Sequence, residues 1–162
     1  KRLKQIQRGN NMAFTLSQRS LGRLDGVKNQ LHSVVTTAIG LTNCDFGVTC
    51  GLRNIQEQEE LVARGASQTM NSKHLTGDAV DVVAYIGSRI SWELNLYDEI
   101  ADAFKEASIK EGVPIKWGGA WSVPDLRDWE GTAEEARESY IDLRKSQKRK
   151  YFLDCPHFEL ST

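Results

Sequence analysis

A chain of 162 residues with 40% hydrophobic and 27% charged side chains has the composition of an ordinary globular domain, which excludes disordered and collagen-like classes. Such a length is expected to form one domain that buries roughly two-thirds of its unfolded surface. A net charge of −1 argues against general nucleic-acid binding, and no apolar run approaches the roughly eighteen residues of a membrane span, which argues against stable membrane insertion.

The first eleven residues, KRLKQIQRGNN, are basic and polar and precede Met12. They read as a leader or an expression remnant, with 12–162 as the single domain, and no secretory signal is visible. Taking Lys1, Arg2, Lys4 and Arg8 away from a net of −1 leaves −5. Cys44, Cys50 and Cys155 are odd in number and lack a C-x-x-C pair, so they read as buried free thiols rather than as disulfides or a cysteine zinc site.

From Leu16 to Leu41 the apolar residues Leu21, Leu24, Leu31, Val34, Val35, Ala38 and Ile39 fall at helical spacing and predict one core-facing helix, with His32 in its middle. Phe46, Val48, Cys50 and Leu52 then alternate as a strand with one buried face. Asn54 is placed to cap a helix through Arg64, which Gly65 can end in the left-handed conformation. The β-branched segment 79–85 predicts a central strand carrying Asp81. Ile100, Ala101, Phe104 and Ala107 mark a helix from about Ser91 to just before Gly112, followed by a short strand at Pro114–Trp117. After the loop WGGAWSVPDLRDWEG, Thr132 and Glu135 form a capping box for a helix through Ser146, and YFLDCPHFEL makes a final turn and strand. The fold class expected is α+β, with a small antiparallel sheet packed with helices.

Two of the three histidines occur in unusual settings, Ser72-Lys73-His74-Leu75-Thr76-Gly77-Asp78-Ala79-Val80-Asp81 and Asp154-Cys155-Pro156-His157. Hydrolytic zinc takes three imidazole or carboxylate ligands and keeps a fourth position open, and His74, Asp81 and His157 supply that set, one ion per chain. Gly77 lets the chain turn back into a strand that presents Asp81 towards His74, while His157 comes from a distant strand. Asp154, three residues before His157, is placed as the general base.

The full arrangement resembles the zinc peptidases that include D-Ala-D-Ala carboxypeptidases, vancomycin-resistance dipeptidases and phage L-alanyl-D-glutamate endopeptidases. Their signature, S-x-H-x-x-G-x-A-x-D, is matched at every specified position by Ser72, His74, Gly77, Ala79 and Asp81. The resemblance runs from about Phe46 to Leu160 and includes Gly51-Leu52-Arg53 with Gln58 and Leu61. It implies a fold of the hedgehog and D-Ala-D-Ala peptidase type, and Arg53 as the residue that polarises the scissile carbonyl. By the same resemblance Ser72 binds a substrate carboxylate, though it could equally serve only its own turn.

Asp154 stands where the family often has glutamate, and the polar insertion at 122–150 gives no guidance on substrate contacts. The run Arg144-Lys145-Ser146-Gln147-Lys148-Arg149-Lys150 could attract anionic polymers or be a solvated helix end. Trp117 reads as core, Trp121 as core or cleft border, Cys155 as packing, and Glu159 as either an orienting acceptor for His157 or an edge charge. The function expected is that of a phage or prophage endolysin, a monomer that cleaves a peptide bond of the peptidoglycan stem, L-alanyl-D-glutamate. It would be made in the host cytoplasm and reach the wall through a separate permeabilising protein. A D-alanyl-D-alanine carboxypeptidase and a non-catalytic zinc-stabilised binding module are the alternatives; Arg53 and Asp154 favour catalysis, since a structural metal needs neither.

Overall fold

A computed structural model describes residues 13–161, so the leader reading of residues 1–11 lies outside the described residues. Ser17 accepts the Ser20 amide and opens α1 (Gln18–Arg23). The single helix predicted from Leu16 to Leu41 is two helices, because α2 (Asn29–Leu41) starts only after a turn in which Gly26 adopts φ +84°. Leu24 and Val27 in that turn are buried together with Leu31, Val34, Val35, Ala38 and Ile39, so the apolar spacing persists across a break that it could not reveal. The break is set by a distant partner. The Lys28 amide donates to the Gly77 carbonyl at 2.9 Å, and any Cβ on Gly77 would strike the carbonyl of Gly26.

Five strands, β1 (Asp45–Cys50), β2 (Ala79–Ile86), β3 (Arg89–Ser91), β4 (Ile115–Trp117) and β5 (His157–Leu160), form one antiparallel sheet in the order β1-β2-β5-β4, with β3 also paired to β2. The α+β class with a small antiparallel sheet is thereby established. β3 was not predicted; Gly87, at φ +63°, and Ser88 make the two-residue hairpin turn that joins it to β2. Because Ser91 ends β3, α4 runs from Leu94 to Glu111 rather than from Ser91.

Asn54 and Glu57 form a reciprocal capping box on α3 (Ile55–Ala63), and Thr132 and Glu135 form another on α5 (Ala133–Ser146). Val80, Val82 and Ala84 face the helices, paired in register with Phe158, Val48 and Phe46. Phe104 of α4 stacks on Phe158 with ring centroids 3.8 Å apart, and buried Trp117 flanks the same ring. The bidentate Arg137–Asp98 pair, 2.8 Å at each nitrogen, ties α5 to α4.

The predicted alternation Phe46, Val48, Cys50, Leu52 fails at its second half. A bulge between Val48 and Cys50 sets Cys50 opposite Asp81, on the face away from the helices, and leaves Leu52 50% exposed beyond the strand. One inserted residue reverses the face of everything after it.

Candidate active site

Along the sheet face opposite the helices, Cys50, Asp81 and His157 are in register on three adjacent strands, β1, β2 and β5. His74 joins them from a short 3-10 turn, Lys73–Thr76, which Ser72 caps by accepting the His74 amide and which Gly77 closes at φ +74°. That turn is anchored on both sides, by the Arg53 amide donating to the His74 carbonyl and by Gly77 lying against Gly26.

Both buried imidazoles are held from behind. His74 Nδ1 donates to the Gly51 carbonyl at 2.8 Å, which turns Nε2 towards Asp81 Oδ2 at 3.1 Å. His157 Nε2 donates to Glu159 Oε1 at 2.8 Å, which turns Nδ1 towards Asp81 Oδ1 at 3.0 Å. Each histidine therefore has one nitrogen fixed by an acceptor and the other aimed at the same carboxylate, the arrangement that fixes the tautomer of metal-binding histidines. Donor spacings of 3.0–3.1 Å are close to the edge, about 3.3 Å, of a tetrahedron with zinc-ligand bonds of about 2.0–2.1 Å. The two spacings run to different oxygens of Asp81, and two imidazoles with a carboxylate are donor types that zinc takes.

Among the described residues two groups of donor atoms each lie within 4.8 Å internally, Cys50, His74 and Asp81, and Asp81, Asp154 and His157; they share Asp81, and the expected set His74, Asp81 and His157 is divided between them. Cys50 Sγ is 3.6 Å from His74 Nδ1, the nitrogen that Gly51 already occupies, and 3.2 Å from Arg53 Nη2. Arg53 is fixed as well by Gln58 Oε1 at 2.7 Å, which leaves its Nη2 3.8 Å from Asp81 Oδ2. Fully buried Gln58 also donates to Ser67 and to the Thr69 carbonyl, joining α3 to the cleft wall.

Burial opposes charge on the imidazoles, but the Asp81 contacts outweigh it and push His74 up to about 10 and His157 up to about 9. Burial disfavours the Asp81 anion too, yet hydrogen bonds from His157 and His74 hold it well below the usual carboxylate range. At Asp154 burial dominates and raises the carboxyl above that range, with His157 pulling against it. An elevated carboxyl beside a depressed one is the pattern that separates a proton acceptor from a permanently ionised group.

The family model for phage L-alanyl-D-glutamate peptidase matches residues 12–161. The chain belongs to that family. The L-alanyl-D-glutamate peptidase of Escherichia phage T5 is 31% identical over 116 residues, covering 69% of this chain and 85% of that protein. That of Listeria phage A118 is 35% identical over 71 residues, 44% of this chain but 24% of that protein. The crystal structure of the Serratia marcescens L-Ala D-Glu endopeptidase ChiX superposes with a TM-score of 0.68 at 32% identity, covering 94% of each chain.

In this member of the phage L-alanyl-D-glutamate peptidase family, Arg53, Ser72, His74, Asp81, Asp154 and His157 all line one cleft of about 620 Å³. Trp121 borders it too, its ring 5.7 Å from that of His157, whereas Trp117 is core. Glu159, left open between two readings, is the acceptor behind His157, and Lys73 holds it in turn at 3.4 Å. Cys155 is buried as expected. The neighbour missed in the sequence was Cys50, half-buried against His74 and Arg53, because strand alternation assigned it to the core and nothing local marks the bulge that turns it over.

Proposed function

We propose that the chain hydrolyses the L-alanyl-D-glutamate bond of the peptidoglycan stem with one zinc ion held by His74 Nε2, Asp81 and His157 Nδ1. The observation that carries this reading is the pair of imidazoles pinned from behind by Gly51 and Glu159, with their free nitrogens turned on one carboxylate. Zinc held there supplies Lewis acidity towards the scissile carbonyl and the attacking water. An Asp154 carboxylate oxygen accepts the proton of that water and returns it to the leaving amine of D-glutamate. Arg53, fixed by Gln58 and Cys50, turns its guanidinium towards the oxyanion, and the Ser72 hydroxyl, whose oxygen accepts from His74 N–H, keeps its own proton to donate to substrate. Cys50 is not a ligand in this scheme, since it sits on the Nδ1 side of His74.

The same reading makes the chain an endolysin that acts as a monomer and reaches the wall through a separate permeabilising protein; no helix among the described residues is long and apolar enough to cross a membrane. Digestion of purified peptidoglycan, followed by mass spectrometry, should reveal a new amino terminus on D-glutamate and a new carboxyl on L-alanine. Release of terminal D-alanine instead would replace this reading with a D,D-carboxypeptidase.

A further inference from the structure

The cleft does not end at its catalytic groups. Phe152 lines it, is 56% exposed, and stacks on Trp121 with ring centroids 6.4 Å apart. Immediately before Phe152 the chain carries Tyr151, 44% exposed, and the basic residues Arg144, Lys145, Lys148, Arg149 and Lys150. Cations in the last turn of a helix complement its dipole, which accounts for Arg144 and Lys145. It does not account for Lys148, Arg149 and Lys150, which lie past the C-cap Gln147, exposed, in a turn where Lys148 takes φ +55°. Among the described residues none of these five forms an ion pair. The turn is nevertheless fixed: Arg144 Nε donates to the Lys150 carbonyl at 2.7 Å, the Phe152 amide to Tyr140 Oη at 3.1 Å, and Lys145 Nζ sits 6.0 Å over the Tyr151 ring.

We infer that this turn, with Tyr151 and Phe152, is a docking surface for the anionic peptidoglycan polymer, gripping stem-peptide carboxylates of units beyond the one being cleaved. The inference rests on the activity proposed above. A glutamate joined to the chain through its amine and one carboxyl keeps the other as an anion, so the polymer repeats negative charge at every stem. A positive turn at the mouth of the cleft, on a body whose residues from Met12 onward carry a net charge of −5, concentrates such a polymer where it is cut. Aromatic rings beside the cations give sugars or side chains a flat face to rest on.

The test compares the wild-type zinc enzyme with the triple variant Lys148→Gln, Arg149→Gln, Lys150→Gln on two substrates: sacculi stripped of phosphate-bearing polymers, and a soluble single-stem peptide. At low salt the variant should pellet with sacculi at least fivefold less and digest them about five- to tenfold more slowly, while turnover of the soluble peptide is unchanged. Raising salt to about 0.5 M, where the Debye length is well under 10 Å, should bring the two proteins together on sacculi. Equal pelleting at low salt overturns the inference, as does an equal loss on the soluble peptide, or pelleting of the wild type only with walls that retain phosphate polymers. If neither protein cleaves the peptide, the assignment of the bond fails, yet pelleting needs no turnover and still decides the surface.

Discussion

Phe158 and His157 are neighbours in β5 and belong to different regions of the molecule. Phe158 points to the helices, fully buried between Phe104 and Trp117, and its register partner is Val80. His157 points to the cleft, held between Asp81 and Glu159. Along β2 the same division separates Val80 and Val82 from Asp81. The comparison teaches that stability and chemistry are assigned by the parity of a strand position, so that one step along the chain exchanges an aromatic core for a cluster of titratable groups. Along these strands the core face is apolar, while on the cleft face His74, Asp81, His157 and Glu159 satisfy one another.

The sharpest way to break this comparison is to cut the two neighbours separately. His157→Ala should abolish zinc binding and lower hydrolysis of peptidoglycan by about a thousandfold or more, since several kcal/mol of transition-state stabilisation go with the ion. Phe158→Ala should instead cost about 3–5 kcal/mol of stability, a fall in Tm on the order of 10 °C, while the protein that remains folded still binds zinc. Elemental analysis and thermal melts of both variants decide. Retention of zinc by His157→Ala would remove it from the ligand set, and a parallel loss of metal and stability in both would show that the two faces are not independent.

Within the cleft face, the next expected effect separates a ligand from a base. Asp154→Asn preserves size and hydrogen bonding but cannot take a proton, so zinc should stay bound while activity drops by roughly 10²- to 10⁴-fold. Loss of the metal from that variant would make Asp154 a ligand and reopen the place of Asp81. A smaller effect belongs to Arg53→Lys, which keeps the charge but loses the planar fork that reaches Gln58 and Cys50 together. About a tenfold fall in kcat, near 1.4 kcal/mol, is expected with KM little changed; a change confined to KM would recast Arg53 as a residue for ground-state binding.

The cleft face was more legible in the sequence than its supports. The spacing from His74 to Asp81 follows from local geometry, a capped turn closed by a left-handed glycine and leading into a strand, and both capping boxes are equally local. The break at Gly26 and the bulge before Cys50 are not local. Gly26 turns where it does because Gly77 lies against it across the fold, and Cys50 faces the cleft because one residue of β1 is unmatched on β2. Neither event changes the apolar pattern enough to be seen from spacing alone. Glu159 sits between these cases: alternation placed it on the face of His157, but only the pairing of β5 with β2 shows the carboxylate reaching the ring.

The finest test of the comparison is the sign of the pH dependence, because the two histidines whose titration is shifted both lie on the cleft face. Without metal, His74 and His157 are pushed up to about 10 and about 9, burial being outweighed by Asp81, whereas an unfolded histidine titrates near 6.5. Between those values the folded chain binds more protons than the unfolded one, so stability decreases as pH rises. The contribution is fully present below about 6.5 and is lost as pH climbs through the folded values. With zinc the sign reverses, since the ion needs both imidazoles neutral and its binding releases their protons, so apparent affinity and the stabilisation it brings increase over the same range. Thermal melts of chelator-stripped and zinc-loaded protein from pH 6 to pH 9 should therefore diverge, the stripped Tm falling and the gap between the two widening. Parallel curves would mean that zinc does not compete with protons for these imidazoles, and the ligand set would have to be sought elsewhere in the cleft.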